Sequence, residues 1–111
     1  MNKKIKQILL KKNKSKIVSL TAYSKNIAKI LDKYCDIILV GDSMANVLYN
    51  MKDTNQITID NVIQHTMSVR QGVKKSLLVV DMPKGTYTNK TTAKKNAKKI
   101  MKTTNCDAVK I

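Results

Sequence analysis

The sequence reads IILVGDS at residues 37–43 and LLVVDMP at residues 77–83, and these two stretches decide the fold. Each is a short apolar run followed at once, or within two residues, by an aspartate, Asp42 in the first and Asp81 in the second. Short and nearly continuous apolar runs are typical of parallel strands that are covered on both faces. Parallel α/β sheets carry their chemistry at the carboxyl ends of the strands. The two aspartates are therefore predicted to lie at the functional edge of a parallel sheet.

Four such strands are predicted along the chain. They are expected at residues 17–21, 36–40 and 76–80, and a fourth begins at Asp107 and runs to the last residue. The fourth strand carries Lys110 near its end. Three successive strand ends therefore offer two carboxylates and an ammonium group.

The segments between the predicted strands have the pattern of helices. Ser24 can cap a first helix, and Thr58 begins a second one that Gly72 is expected to end in a left-handed conformation. A third helix is expected over residues 89–104, and residues 44–57 are interpreted as a loop. In the first helix, four residues at helical spacing share one face: Ile27, Ile30, Leu31 and Tyr34. The alternation predicts a parallel sheet with right-handed crossovers, either a small open fold or half of a barrel.

The composition restricts the size of the domain and the class of partner. The chain has 111 residues and a formal net charge of +15, from 21 Lys and one Arg against seven Asp and no Glu. This length allows one domain but not a complete eight-stranded α/β barrel, which needs about 250 residues. The lysines are scattered along the chain and are not gathered into one stripe. Because the chain is poor in the Arg and aromatic residues that nucleic-acid sites use, no specific nucleic-acid partner is expected.

Several features bear on where the protein works. No apolar stretch approaches the ~18 residues of a membrane-spanning helix, so no membrane partner is expected. Cys35 and Cys106 lack a metal-ligand spacing and are expected to be reduced thiols of a cytoplasmic protein. Residues 1–16 are basic and weakly amphipathic, whereas a transit peptide would be richer in Arg and Ser. We interpret them as a helix that covers one end of a single domain, whose strands and helices occupy residues 17–111.

Five short blocks of the sequence resemble the ketopantoate hydroxymethyltransferase family, in that family's order and spacing from about residue 15 onward. Each block alone is a weak signal, whereas five together are a strong one. The blocks are Thr21-Ala22-Tyr23, Val40-Gly41-Asp42-Ser43-Met44, His65-Thr66 with Val69-Arg70-Gln71-Gly72, Val80-Asp81-Met82-Pro83 with Gly85-Thr86-Tyr87, and Asp107-Ala108-Val109-Lys110-Ile111.

The resemblance implies a fold and a reaction. The fold is the N-terminal half of a (β/α)8 barrel of the TIM type, with about four parallel strands and intervening helices. The reaction is hydroxymethyl transfer from methylenetetrahydrofolate to α-ketoisovalerate through a magnesium-stabilised enolate, which gives ketopantoate for pantothenate and coenzyme A biosynthesis. A homo-oligomer is also implied. The chain is expected to be an incomplete form, because the family's catalytic base, a Glu, lies beyond the last residue.

The resemblance also assigns roles to individual residues. Asp42 and Asp81 are implied as magnesium ligands, and Ser43, Asp81 and Lys110 as contacts to the ketoacid. Tyr23 is a further candidate for the same pocket. Magnesium prefers oxygen ligands and keeps several waters, so two carboxylates leave positions for a bidentate ketoacid. A lysine beside a developing anion adds stabilising positive charge, and a serine orients the anion by a hydrogen bond.

Ordinary structural roles remain open for the same residues. Asp42 and Ser43 could cap a turn or helix, and Asp81 could belong to the turn that Pro83 introduces. His65 is expected to be a packing or hydrogen-bonding residue and not a ligand or base. For the whole chain, the alternative is a non-enzymatic remnant or a basic binding protein. Exposed edges on the first and fourth strands would favour self-association in either case.

Overall fold

Four parallel strands form one sheet in the computed structural model, which describes residues 2–111. Their order in the sheet is the order of the chain: β1 (Ser19–Thr21), β2 (Ile37–Val40), β3 (Leu77–Asp81) and β4 (Ala108–Lys110). Each strand lies within one or two residues of its predicted position. The predicted α/β class is confirmed, and the arrangement is consistent with half of a TIM-type barrel, in which strands also follow one another in chain order.

Within residues 2–111, five helices accompany the sheet. They are α1 (Lys3–Leu10), α2 (Lys25–Leu31), α3 (Met44–Val47), α4 (Ile59–Gly72) and α5 (Lys90–Thr104). Among the helices of residues 2–111, none combines the length and apolar character that crossing a membrane requires. Helix α3 corrects the prediction that residues 44–57 are entirely loop. It is a single turn held by the fully buried Met44 and Ala45, and one turn is too short to show a helical period in the sequence.

Hydrogen bonds at the helix ends fix where two of the helices begin. Thr58 and Asn61 form a reciprocal capping box at the start of α4, and the side chain of Asn89 accepts a hydrogen bond from the Thr92 N–H at the start of α5. Ser24 occupies the N-cap position of α2 as predicted. Its side chain, however, makes no capping hydrogen bond, so the predicted capping role is wrong.

The core lies between the sheet and the helices that follow its strands. Residues that pair in register on β2 and β3 are fully buried there, namely Ile38 with Leu78 and Val40 with Val80. Helices α4 and α5 supply further fully buried side chains: Val62, Thr66, Val69 and Ile100. The alternate strand residues Leu39 and Val79 are only half-buried. One face of the sheet is thus packed and the other is partly open.

The prediction that Gly72 adopts a left-handed conformation is wrong. Gly72 is the last residue of α4, and the cap that follows it is Val73 in an extended conformation. The glycine is required for packing instead, since a Cβ on Gly72 would lie 2.4 Å from the Lys25 carbonyl oxygen and 2.8 Å from the Lys29 backbone nitrogen. Helices α2 and α4 therefore meet backbone to backbone at this point.

This close approach determines which face of α2 is buried. Ala28 is fully buried against α4, whereas the predicted apolar face is mostly in solvent: Ile27, Ile30 and Tyr34 are exposed and Leu31 is half-buried. Tyr34 lies beyond the last residue of α2, so the predicted four-residue face is wrong at this position and only Ile27, Ile30 and Leu31 belong to the helix. The periodicity could not show that the contact with Gly72 selects the neighbouring face for packing.

Aspartates fasten the strands together at the amino-end rim, which we define as the edge of the sheet where the strands begin. Asp36 accepts a hydrogen bond from the Val18 N–H at 2.9 Å, and Asp107 accepts one from the Leu78 N–H at 2.9 Å. The hydrogen bond from Lys11, together with that from Val18, holds the pKa of Asp36 below its usual value. Burial raises the pKa of Asp107, but its hydrogen bonds outweigh burial and lower the pKa overall.

Helix α1 is attached to this amino-end rim by the same two aspartates. Lys11, just after the helix, pairs with Asp36 at 2.6 Å, and Asn2, just before it, donates to Asp107 at 2.9 Å. Lys4 lies 3.5 Å from Asp107. The helix thus connects the beginning of β2 with the beginning of β4.

A third aspartate joins α2 to the segment that leads into β3. Asp32 is buried and accepts hydrogen bonds from the backbone N–H groups of Lys74, Lys75 and Ser76. Burial raises the pKa of this carboxyl, but the backbone hydrogen bonds together lower it below 3.8. Its neighbour Cys35 and the distant Cys106 are both free and buried, and burial raises the pKa of each thiol.

Candidate functional site

The opposite edge of the sheet, where the strands end, is here called the carboxyl-end rim. Tyr23 follows β1, Asp42 and Ser43 follow β2, Asp81 is the last residue of β3 and Lys110 is the last residue of β4. Because all four strands are parallel, the structure brings these five sequence-predicted residues to the same rim. None of them lies at the amino-end rim.

Asp81 and Lys110 form an ion pair at this rim. They are partners in the register of β3 and β4, and the Lys110 Nζ lies 3.1 Å from the Asp81 Oδ1. In a parallel sheet, paired residues project from the same face. The Asp81 side chain is 19% exposed and that of Lys110 is 56% exposed, so the lysine can move while the carboxylate stays in place.

Gly41 allows the Asp81 carboxylate to lie against the end of β2. A Cβ on Gly41 would be 3.4 Å from the Asp81 Cβ and 3.5 Å from its Oδ2. A larger side chain at this position would occupy the space beside the carboxylate. Asp42 follows Gly41 in the chain, and Asp81 lies against Gly41. Both predicted metal ligands are therefore adjacent to the residue at which β2 and β3 come close together.

Asp42 is half-buried, and its carboxylate makes no ion pair with any group in residues 2–111. Its backbone carbonyl accepts a hydrogen bond from the Ala45 N–H at 2.9 Å, which begins the turn into α3. The turn therefore uses the backbone of Asp42 and leaves the carboxylate available. Asp81, in turn, belongs to the strand ladder, and the turn after Pro83 is closed by the backbone of Thr86.

Ser43 is held by Tyr23 across the ends of β1 and β2. The Tyr23 hydroxyl lies 2.5 Å from the Ser43 Oγ. Ser43 occupies the N-cap position of α3, but its side chain makes no capping hydrogen bond and its backbone is already helical, whereas a capping residue is usually extended. The Ser43 side chain therefore does not cap α3, which is the structural role that the sequence left open for it.

Two further residues, His65 and Tyr49, are linked to this pair by hydrogen bonds. The His65 Nδ1 lies 2.9 Å from the backbone carbonyl oxygen of Tyr23, and its Nε2 lies 2.6 Å from the Tyr49 hydroxyl. The rings of Tyr49 and His65 pack edge to face with centroids 5.8 Å apart. The prediction that His65 is a hydrogen-bonding residue is confirmed. The role of Tyr49 was missed, because nothing in the spacing of Tyr49, His65 and Tyr23 indicates that they meet.

The donor set at the rim can be compared with what magnesium requires. Residues 2–111 contain no group of three or more His, Cys, Asp or Glu side chains that could hold a metal ion. The rim offers two carboxylates, Asp42 and Asp81. Magnesium sites commonly use one or two carboxylates and complete the octahedron with water and substrate oxygens. The residues present therefore fit magnesium. They would form a poor site for a metal that takes all of its ligands from the protein.

A separate cleft of about 620 Å³ lies at the amino-end rim, between α1 and the beginnings of the strands. Asp32 and Asp36 contribute to its wall. Both carboxylates already accept backbone hydrogen bonds, and Asp36 also pairs with Lys11. The polar groups of this cleft thus hold the strands and α1 together. The candidate functional site is therefore the opposite, carboxyl-end rim.

Comparison with known proteins identifies what the chain is similar to. Residues 2–111 match the family model described as ketopantoate hydroxymethyltransferase. The chain is 60% identical over 111 residues to a 3-methyl-2-oxobutanoate hydroxymethyltransferase from Pelagibacter ubique. Proteins of the same name from Anaplasma marginale and Brucella canis are 46% and 44% identical to it over 107 residues.

The match covers almost all of this chain but less than half of its relatives. It includes 100% of the chain and 43% of the Pelagibacter protein, and 96% of the chain and 39% of each of the other two. The match to the Pelagibacter protein spans the whole chain and therefore contains all four strands and the complete carboxyl-end rim described above.

Proposed function

Because this chain belongs to the ketopantoate hydroxymethyltransferase family, we propose that its carboxyl-end rim binds 3-methyl-2-oxobutanoate for hydroxymethyl transfer. The relatives carry this ketoacid, also called α-ketoisovalerate, in their names. Since the chain spans about two fifths of their length, the complete reaction belongs to the proposal, with the chain supplying the ketoacid-binding part. The product would be ketopantoate, a precursor of pantothenate, made in the cytoplasm.

The observation that carries the proposal is the ion pair of Asp81 and Lys110 at the carboxyl-end rim, beside Gly41 and at the same rim as Asp42 and Ser43. It places a positive charge, two carboxylates and a hydroxyl at one end of a parallel sheet, where α/β enzymes bind their substrates. The ammonium group of Lys110 is complementary to the carboxylate of a ketoacid. The mostly exposed side chain can turn from Asp81 toward that substrate when it arrives.

Asp42 and Asp81 would hold a magnesium ion at the rim. When bound, the ion supplies positive charge that polarises the ketone and makes the adjacent carbon more acidic. Lys110 would stabilise negative charge on the ketoacid, and Ser43 would orient its carboxylate by donating a hydrogen bond. Tyr23 would fix the position of Ser43. The proton-accepting base is assigned to no residue of this chain.

Two further partners belong to the same proposal. Methylenetetrahydrofolate is the one-carbon donor that the family resemblance implies. Self-association through β1 and β4 is supported by their positions at the edges of the sheet, where backbone groups lack a neighbouring strand. All three residues of β1 are exposed, including the apolar Leu20.

The proposal can be tested by isothermal titration calorimetry of the chain with α-ketoisovalerate in the presence of magnesium. The wild-type chain is expected to bind the ketoacid only when magnesium is present. Asp42→Asn and Asp81→Asn should each weaken magnesium-dependent binding by about tenfold or more, because each removes a charged ligand, and tenfold corresponds to about 1.4 kcal/mol.

Asp60→Asn is the matched control. The Asp60 side chain is 80% exposed on α4 and pairs only with Lys99, so its loss should leave the affinity unchanged. Wild-type affinity in both Asp42→Asn and Asp81→Asn would remove the metal assignment. Equal binding with and without magnesium would do the same.

A further inference from the structure

A continuous series of contacts leads from the surface to the candidate ketoacid site. It runs from the Tyr49 hydroxyl to the His65 ring, from His65 to the Tyr23 carbonyl, and from the Tyr23 hydroxyl to Ser43, over distances of 2.6, 2.9 and 2.5 Å. These four residues come from three parts of the chain: the end of β1, the segment around α3, and the middle of α4. Only Ser43 and Tyr23 are candidates for contact with the ketoacid.

The chemistry of the groups determines the direction of two of these hydrogen bonds. A backbone carbonyl can only accept, so the His65 Nδ1 must carry a proton and donate it to Tyr23. In the neutral ring the Nε2 is then an acceptor, and it must receive its hydrogen bond from the Tyr49 O–H. The Tyr23 carbonyl thereby fixes the tautomer of His65, and Tyr49 satisfies the other ring nitrogen.

The segment around Tyr23 is held by the fully buried Ala22, whose N–H donates to the Leu39 carbonyl at 3.1 Å, and by packing of the Tyr23 ring against the core. The contact with His65 adds a hydrogen bond to the Tyr23 carbonyl itself. Tyr23 follows β1, an edge strand whose three residues are all exposed. His65, by contrast, lies on α4 between residues that are fixed in the core, because Val62 and Thr66 are fully buried and the Thr66 hydroxyl donates to the Val62 carbonyl at 2.7 Å. His65 is therefore a rigid attachment point for the Tyr23 carbonyl.

We propose that Tyr49 and His65 are positioning residues for ketoacid binding, acting on Ser43 through Tyr23. With the Tyr23 backbone held by His65, the Tyr23 hydroxyl donates a hydrogen bond to the Ser43 Oγ. The Ser43 hydroxyl proton is then free to be donated to the ketoacid carboxylate, and Ser43 is prevented from turning toward the backbone of α3. This inference rests on the proposed function, since it assigns Ser43 to the ketoacid.

Variants at position 65 distinguish positioning from packing. In His65→Asn, the side-chain amide places an N–H near the original Nδ1 and can still donate to the Tyr23 carbonyl. His65→Leu fills similar space without a donor. Tyr49→Phe keeps the edge-to-face packing and removes only the hydroxyl. All three should be compared with the wild type by calorimetry with α-ketoisovalerate at saturating magnesium, and by titration with magnesium alone.

We expect His65→Leu to weaken ketoacid binding by about tenfold and Tyr49→Phe by about threefold, as expected for the loss of one or two neutral hydrogen bonds. His65→Asn should recover affinity to within about threefold of the wild type. Magnesium binding should be unchanged in all three, because none of them touches Asp42 or Asp81. A merely structural role would lower both affinities together and would not be rescued by asparagine.

Nuclear magnetic resonance provides a readout that does not depend on the ketoacid. His65 is the single histidine of the chain, so its ring nitrogens give one set of ¹⁵N signals. In the neutral ring, Nδ1 should be protonated and Nε2 should not, because Nδ1 faces a carbonyl oxygen. Tyr49→Phe should leave Nδ1 protonated and shift the Nε2 signal, because Nε2 loses its hydrogen bond.

The two proposals fail in different ways. Ketoacid binding that is lost in Asp81→Asn and unchanged in His65→Leu would overturn the positioning role and leave the proposed function intact. A His65 ring protonated on Nε2 would overturn the positioning role as well. Absence of any ketoacid binding by the wild-type chain would overturn both proposals.

Discussion

Asp81 and Lys110 are register partners on β3 and β4, and the 3.1 Å contact between their charged groups joins the last two strand ends of the sheet. Stability does not account for this pair. The Lys110 side chain is more than half exposed, and ion pairs of this kind contribute little to the free energy of unfolding, about 0–1 kcal/mol. Under the proposed function, the pair keeps a positive charge beside the carboxylate until the ketoacid binds.

Replacement of Lys110 by Met should therefore affect binding and not folding. The magnesium-dependent affinity for α-ketoisovalerate should fall by about tenfold, because the ketoacid carboxylate loses its cationic partner. The free energy of unfolding, measured with urea, should change by less than about 0.5 kcal/mol. Lys33→Met, at another exposed lysine, is the control and should alter neither quantity. A loss of stability without a loss of affinity would contradict the assignment.

Gly72→Ala should destabilise the chain by about 1–3 kcal/mol, the usual range for overpacking. The added methyl group would meet the Lys25 carbonyl oxygen at 2.4 Å and the Lys29 nitrogen at 2.8 Å. These atoms are backbone, so α2 and α4 would have to separate. Urea denaturation measures the effect, with Gln71→Ala on the exposed face of α4 as the comparison. Equal stability of the two variants would show that the helices are not in contact at this position.

Loss of Asp32 should change how stability depends on pH. The folded carboxyl has a pKa below its unfolded value of 3.8, so the folded state favours the ionised form. Its contribution is fully present above about pH 4–5 and is lost as the pH falls through the folded pKa. Asp32→Asn should lower the free energy of unfolding at neutral pH by about 1–3 kcal/mol and lessen the further loss in acid.

Urea denaturation of the wild type and Asp32→Asn at neutral pH and at about pH 3 measures both effects. Asp60→Asn again serves as the control, since the exposed Asp60 lies outside the hydrogen-bond network of Asp32. A constant difference between wild type and Asp32→Asn over this pH range would exclude the ionised carboxylate as the stabilising form.

The sheet was predictable because its signal is local. Residues 37–40 and 77–80 are apolar over the length of a strand, and the aspartates beyond them mark the strand ends. The placement of Asp42, Ser43, Asp81 and Lys110 at one rim then follows from parallel topology alone, without knowledge of any side-chain contact. Their assignment to particular ligands came from the family resemblance and not from the pattern.

Other features depend on contacts between distant segments, which the sequence does not encode locally. Gly72 is the last residue of α4, as the sequence predicts, but the contact with α2 that requires a glycine there has no local signal. Tyr49 looks like an ordinary loop residue until α4 brings His65 within 2.6 Å. For the same reason, the sequence could not indicate which face of α2 packs against α4.

Five of the seven aspartates lie at two opposite rims of the sheet. Asp32, Asp36 and Asp107 accept backbone hydrogen bonds near the amino ends of the strands, whereas Asp42 and Asp81 lie at the carboxyl ends. The contacts that hold the strands together are thus separate from the residues to which the proposed function assigns ligand binding. Under that proposal, substitutions at the carboxyl-end rim would alter ligand affinity in a scaffold that stays folded, whereas substitutions at the amino-end rim would be selected against whatever ligand the protein binds.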